Sequence, residues 1–230
     1  MGSAREGANV YFCARDQAAG QDTSVQLQMR YPNVAINFSQ VDVTNPSSIN
    51  AWVQTIATAS SIDVVVSNVS ALAIPNTAEN WDSAYAADLK ALYTLATAAE
   101  PHLEKSKGNL VSISSVSGRD VDFTAPGPYG AFKAAIIHYV AQLAHAWAPK
   151  GIRANTVSPG NIYIEDGVWG NIEKGDPDFF GKQLKANPMG RMGKAEEIAD
   201  AVVFMASARS TFTSGTNFVV DGALCTGVQL

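Results

Sequence analysis

Short apolar, β-branched runs alternate with longer mixed segments along almost the whole chain. The runs "VYFCA" (10–14), "VAINFSQVDV" (34–43), "IDVVVSN" (62–68), "NLVSISS" (109–115), "IRANTVSPG" (152–160) and "TNFVVDG" (216–222) have the length and composition of strands. Helical patterns lie between them. A polar one covers 16–31, and "NPSSINAWVQTIATAS" places Asn45 as an N-cap with Pro46 at the first helical position. An alanine- and leucine-rich helix is expected from about 80 to 104, another from about Tyr129, and a last one over "KAEEIADAVVFMAS". Strand–helix alternation of this kind predicts an α/β fold with a doubly wound parallel sheet. The run at 62–68 reads as a buried central strand. Residues 161–190 mix glycine, proline and charge without a period, which predicts a mobile lid. With no internal repeat or linker, residues 1–230 read as one domain.

The beginning of this pattern is incomplete. "AREGANV" reads as the end of a helix, with Gly7 near the C-cap position that glycine favours. A strand and most of that helix would be expected ahead of it, and the pattern starts without them.

Composition narrows the class of protein. A hydrophobic content of 47% with only 16% charged residues suits a sheet covered on both faces. Net charge is −5 and the sixteen basic residues are scattered, which argues against nucleic acid as a partner. Cys13 and Cys225 lie far apart with no CxxC or Cys/His spacing, so neither a metal site nor a disulfide framework is expected. The start lacks a signal-peptide apolar region and no run approaches a membrane span. The expectation is a soluble, cytoplasmic protein.

Chemistry concentrates in three residues. Tyr129 and Lys133 are four apart at a helix start and share one face, and Ser115 ends a strand, where open α/β sheets place their ligands. A tyrosine with a pKa near ~10 is a poor acid or base at neutral pH. A neighbouring ammonium would favour the tyrosinate and lower that value, while a serine hydroxyl could donate to a substrate oxygen as charge develops there. Such a set can pass a proton to or from an alcohol or carbonyl while hydride moves on carbon.

Motifs around these residues agree in order and spacing. "DVVVSNVSA", "LVSISSVSG", "YGAFKAA", "GIRANTVSPG", "PMGRMGKAEEIADAVVFMAS" and "SGTNFVVDGA" together resemble the short-chain dehydrogenase/reductase family from Ala4 to Gly227. The resemblance implies a Rossmann-like sheet, hydride transfer with NAD(P)(H), and a homodimer or homotetramer. It makes Tyr129 the acid/base, Lys133 the residue that lowers its pKa and holds the nicotinamide ribose, and Ser115 the group that polarises the substrate oxygen. Asp42 and Val43 fall where the family contacts adenine, and Asn68 where its fourth strand lies against the cofactor. Pro159, Gly160 and Ile162 would follow the nicotinamide. Arg15 resembles the basic residue that pairs with the 2′-phosphate, and Ala14 stands where an acidic residue would signal NAD, so NADP is favoured.

Three departures from the family matter. Its first strand and glycine-rich turn have no counterpart, and no GxGxxG occurs anywhere in the chain. Three accounts are open: a shortened chain, direct pairing of "VYFCA" with "IDVVVSN", or completion by a partner chain. If the missing unit is truly absent, no dinucleotide would bind. The protein would then be a cofactor-free acid/base enzyme or a binding or oligomerisation module. Second, Asp88 stands where the family has a catalytic asparagine, and its charge would offset Lys133 and raise the Tyr129 pKa. Third, "SNVS" replaces NNAG, and Ile164 stands where a threonine often binds the carboxamide.

Other polar and aromatic residues are weaker candidates. His102, His138 and His145 lie on helices without metal-ligand spacing and read as packing or surface residues. Trp147, Trp169, Phe179 and Phe180 are candidates for a substrate pocket. Arg119, Asp120 and Asp122 lie between Ser115 and Tyr129 and read equally as substrate contacts or as surface charge.

Overall fold

Side-chain caps set several of the helix starts. Asp16 accepts a hydrogen bond from the Ala19 amide at the head of α2 (Gln17–Arg30), and Asn45 accepts from the Ser47 amide ahead of Pro46 in α3 (Pro46–Ala59). The structure, a computed structural model, describes residues 2–227. It opens with α1 (Gly2–Arg5), which ends before Gly7 in the left-handed conformation at φ 87°. Strand β1 (Val10–Ala14) pairs in parallel with β2 (Ile36–Gln40), in register Val10 to Ile36.

A second, four-stranded sheet has the order β3 (Val64–Ser67), β4 (Asn109–Ile113), β5 (Arg153–Pro159), β8 (Asn217–Val220), all parallel. One face carries α3, α5 (Ala91–Ser106) and α6 (Pro128–Trp147), whose Leu92, Leu103, Ile136 and Val140 pack with Leu110 and Ala154 into the main core. Each such leucine, fully buried, contributes about 2–3 kcal/mol. The other face carries α9 (Ala195–Ala206), with Val202 and Met205 against Val111 and Val157. A smaller core joins Ala4, Leu27, Val34 and Ile36 beneath β1 and β2.

The two sheets are not joined. β1 pairs with β2 and β3 with β4, so direct pairing of "VYFCA" with "IDVVVSN", one of the three open accounts, does not form. Helix α3 belongs to the main core together with α5, which holds the β1–β2 ribbon to one side of β3. The expectation of a buried central strand at 62–68 is corrected as well. β3 is an edge strand, with Val65 buried but Val64 and Val66 exposed to 39% and 41%. Those two valines lie on the face that α9 covers over β4 and β5. Helix α1, at four residues about 6 Å long, is too short to roof them.

The expected helix at 80–104 is a composite of α4 (Ala78–Ala84), one π-helical turn (Tyr85–Lys90) and α5. The segment 161–190 contains two helices. They are α7 (Val168–Gly175) and α8 (Pro177–Ala186), the latter capped by Asp176. Short β6 (Ile162–Tyr163) and β7 (Gly193–Lys194) pair at its base.

Candidate functional site

Strand β4 ends at Ile113, and the chain turns through Ser115 into a 3₁₀ turn at Val116–Gly118. Helix α6 crosses directly over that turn. A Cβ on Gly118 would lie 2.5 Å from the Lys133 carbonyl carbon, and one on Gly130 would lie 2.7 Å from the Ser117 carbonyl oxygen. Two glycines therefore let the serine turn and the first turns of α6 come into contact. Ser114 locks the join by donating to the Lys133 carbonyl at 2.8 Å.

This contact gathers Ser115, Tyr129 and Lys133, as the spacing predicts. Lys133 is 3% exposed; its Nζ donates to the Ile113 carbonyl at 3.3 Å and lies 5.6 Å from the Tyr129 ring centroid. Asp88, presented by the π-helical turn, lies 3.3 Å from the same Nζ through Oδ1. That contact is an ion pair without an aligned hydrogen bond, whereas Oδ2 accepts from the Ala71 amide at 2.9 Å.

The electrostatics correct one expectation. Lys133 was expected to draw the Tyr129 pKa down, yet Tyr129 is held above the ordinary tyrosine value. Burial is the main cause, and the charges of Asp88 and Asp122 add to it; the Ser115 hydroxyl acts the other way. Burial also lowers the Lys133 pKa, against the pull of Asp88. The ammonium is shared with a carboxylate rather than aimed at the phenol alone.

Sequence reasoning placed Asp122 only in outline and passed over Ser117. Ser115 Oγ accepts from the Ser117 amide at 3.2 Å and donates to Ser117 Oγ at 3.3 Å, and Ser117 Oγ donates to Asp122 Oδ2 at 2.8 Å. Only the close SxS spacing could have hinted at that chain of hydroxyls.

The expected cofactor residues separate into two groups. Arg15 and Val43 line a cavity of about 210 Å³ with Cys13, Ala14, Val41 and Val69, at the mouth of the interval between the sheets. Asp42, beside it, is exposed, and its carboxyl is lowered mainly by hydrogen bonds from Thr44. Asn68 is exposed on the loop after β3. Pro159 ends β5, and Gly160 lies so close to Asp221 that a Cβ would sit 2.8 Å from its Cα. Ile162 faces elsewhere, into a cavity of about 130 Å³ shared with Asn187, Arg191 and Glu197, while Ile164 is exposed.

Trp147 is a correction: it is 3% exposed and packed in the main core. Trp169 stacks on Phe179 within the helical segment after β6, and Phe180 of that segment packs edge-on to Tyr163 of β6. His138 and His145 are exposed, and the described residues contain no cluster fit for a metal.

Known proteins are similar to this chain in sequence and in fold. A family model described as enoyl-(acyl carrier protein) reductase matches residues 2–224. An isoepoxydon dehydrogenase of Penicillium expansum is 35% identical over 228 residues, covering 98% of this chain and 88% of its own. An L-fucose dehydrogenase of Bos taurus is 33% identical over 225 residues, covering 94% of this chain and 80% of its own. An NADPH-bound short chain oxidoreductase from Pseudomonas aeruginosa PAO1, described as containing an atypical catalytic center, superposes with a TM-score of 0.87 at 27% identity. That match covers 97% of this chain and 90% of the other.

Proposed function

Because the chain belongs to the short-chain dehydrogenase/reductase family, a family of oxidoreductases, we propose that it interconverts an alcohol and a carbonyl on a small molecule with NADP(H). The observation that carries this reading is the gathering of Tyr129 with the buried Ser115 and Lys133 at the end of β4.

The residues fit a nicotinamide dinucleotide at both ends. The 210 Å³ cavity carries Arg15, which forms no ion pair among the described residues and is free to meet a 2′-phosphate. Asp42, Val43 and Asn68 would complete the adenosine end. Lys133 would hold the nicotinamide ribose, with Pro159 and Gly160 alongside. NADPH bound to the Pseudomonas relative supports NADP over NAD.

The bound nicotinamide supplies or accepts the hydride. Ser115 donates a hydrogen bond to the substrate oxygen, and Tyr129 gives that oxygen its proton during reduction. The raised Tyr129 pKa keeps the phenol protonated at neutral pH, which favours its work as the acid over its work as the base. Asp88 positions Lys133 rather than touching substrate.

A homodimer or homotetramer is part of the proposal. Tyr93 and Tyr85 stand exposed beside Tyr139 and Phe132, an aromatic band across the π-helical turn, α5 and α6 suited to subunit packing. The cytoplasm is the proposed compartment, consistent with two free cysteines. No helix among the described residues is long and apolar enough to cross a membrane.

A second reading has its own observation. The facing edges of β1 and β3 are unpaired, and no glycine-rich turn bridges them. In that reading the scaffold persists without dinucleotide binding, as a cofactor-free acid/base enzyme or a binding module. Tyr129→Phe separates the two. Carbonyl-dependent NADPH oxidation by the native chain should fall at least about a hundredfold in the variant, within the range for loss of a positioned acid. Native-like turnover by Tyr129→Phe would overturn the mechanism.

A further inference from the structure

Asp122 has an unusual position for a loop carboxylate. It is half-buried, and it stands two hydrogen bonds from the Ser115 hydroxyl, through Ser117. Its neighbour Asp120 lies 3.7 Å from the Arg119 guanidinium, whereas Asp122 has no cation within ion-pairing distance among the described residues. Hydrogen bonds from Thr124 and Ser117 outweigh its burial and hold its pKa below the ordinary value, so it is ionised at neutral pH.

Its acceptor capacity can be counted. A carboxylate offers about four acceptor positions. Oδ1 takes two donors, the Thr124 amide at 2.9 Å and the Thr124 hydroxyl at 2.6 Å, and Oδ2 takes one, the Ser117 hydroxyl at 2.8 Å. The remaining position belongs to Oδ2, the oxygen on the side of the catalytic serine. It has room for one donor, which suits a hydroxyl better than the three N–H bonds of an ammonium.

Resting on the alcohol/carbonyl reading of the same site, we propose that Asp122 Oδ2 accepts a hydrogen bond from a substrate hydroxyl carried next to the reacting carbonyl. The preferred substrates are therefore hydroxy ketones and hydroxy aldehydes, and vicinal diols in the oxidative direction. Ser115 polarises the carbonyl oxygen while Asp122 holds the neighbouring hydroxyl. An unhydroxylated ketone leaves the carboxylate facing apolar carbon, which costs binding.

The test compares NADPH-dependent reduction of 2-hydroxycyclohexanone and cyclohexanone by the native chain, by Asp122→Ala and by Asp122→Asn. The native chain should prefer the hydroxy ketone in kcat/KM by about ten- to a hundredfold, the range for one hydrogen bond to a charged group. Asp122→Ala should lose most of that preference and leave cyclohexanone within about threefold. Asp122→Asn keeps one oxygen for the Thr124 hydrogen bonds but puts an NH2 where Oδ2 accepts, so it should lose the preference as Asp122→Ala does while keeping the turn at Thr124. Equal native activity on both ketones would overturn the proposal and leave the oxidoreductase reading standing. So would a parallel loss on both in the two variants, which would reduce Asp122 to a support for Ser117. Reduction of neither ketone by the native chain would count against both.

Discussion

At Asp88 a single side chain changes what Lys133 can do for Tyr129. The carboxylate lies 3.3 Å from the ammonium, and its charge also reaches the phenol, raising the Tyr129 pKa. Replacing it by asparagine keeps an acceptor for the Ala71 amide and removes the charge. The Tyr129 pKa should then fall, and the sign can be followed through. Alcohol oxidation needs the phenolate, so its rise with pH should come at lower pH in Asp88→Asn. Carbonyl reduction needs the phenol, so its loss on raising the pH should also come earlier. Coincident pH profiles for native and variant enzyme would overturn this account. The Tyr129–Lys133 pair was legible because an i, i+4 spacing fixes a shared helix face. The Ser117–Asp122 bond was not, because it closes across a loop whose path no periodicity encodes.

Among the elements, α6 and the serine turn act as one unit. Alanine at position 130 would gain about 1 kcal/mol of helix propensity, but its Cβ would meet the Ser117 carbonyl oxygen at 2.7 Å. Overpacking of that kind costs about 1–3 kcal/mol and shifts the turn that carries Ser115. Gly130→Ala should therefore lower kcat by about ten- to a hundredfold, with a change in stability below about 2 kcal/mol, measured by steady-state kinetics and urea unfolding. Full activity would show that the close approach is incidental. The capped helices at 17–30 and 46–59 were readable from Asp16 and Asn45–Pro46. Asp176–Pro177 is the same signal, yet 161–190 reads as period-less because α7 and α8 span only eight and ten residues.

Over the whole molecule, the question is whether two sheets separated at β1 and β3 still hold one dinucleotide. Under the proposed function, NADPH at a hundredfold excess over Kd should stabilise the fold by about 2.7 kcal/mol, raising Tm by roughly 5–10 °C. NADH should protect less. Arg15→Ala should narrow the difference by weakening NADPH alone. No protection by either nucleotide would favour the scaffold that has left dinucleotide binding. The sequence by itself determined the α/β class, the order of the elements and the Ser115–Tyr129–Lys133 set, because these follow from local periodicity and short fixed spacings. Only the tertiary structure decided that β1 and β3 do not pair, that Trp147 belongs to the core and that Lys133 is bound to Asp88. Those outcomes depend on packing between segments far apart in the chain, where α3 meets α5 and the π-helical turn meets α6.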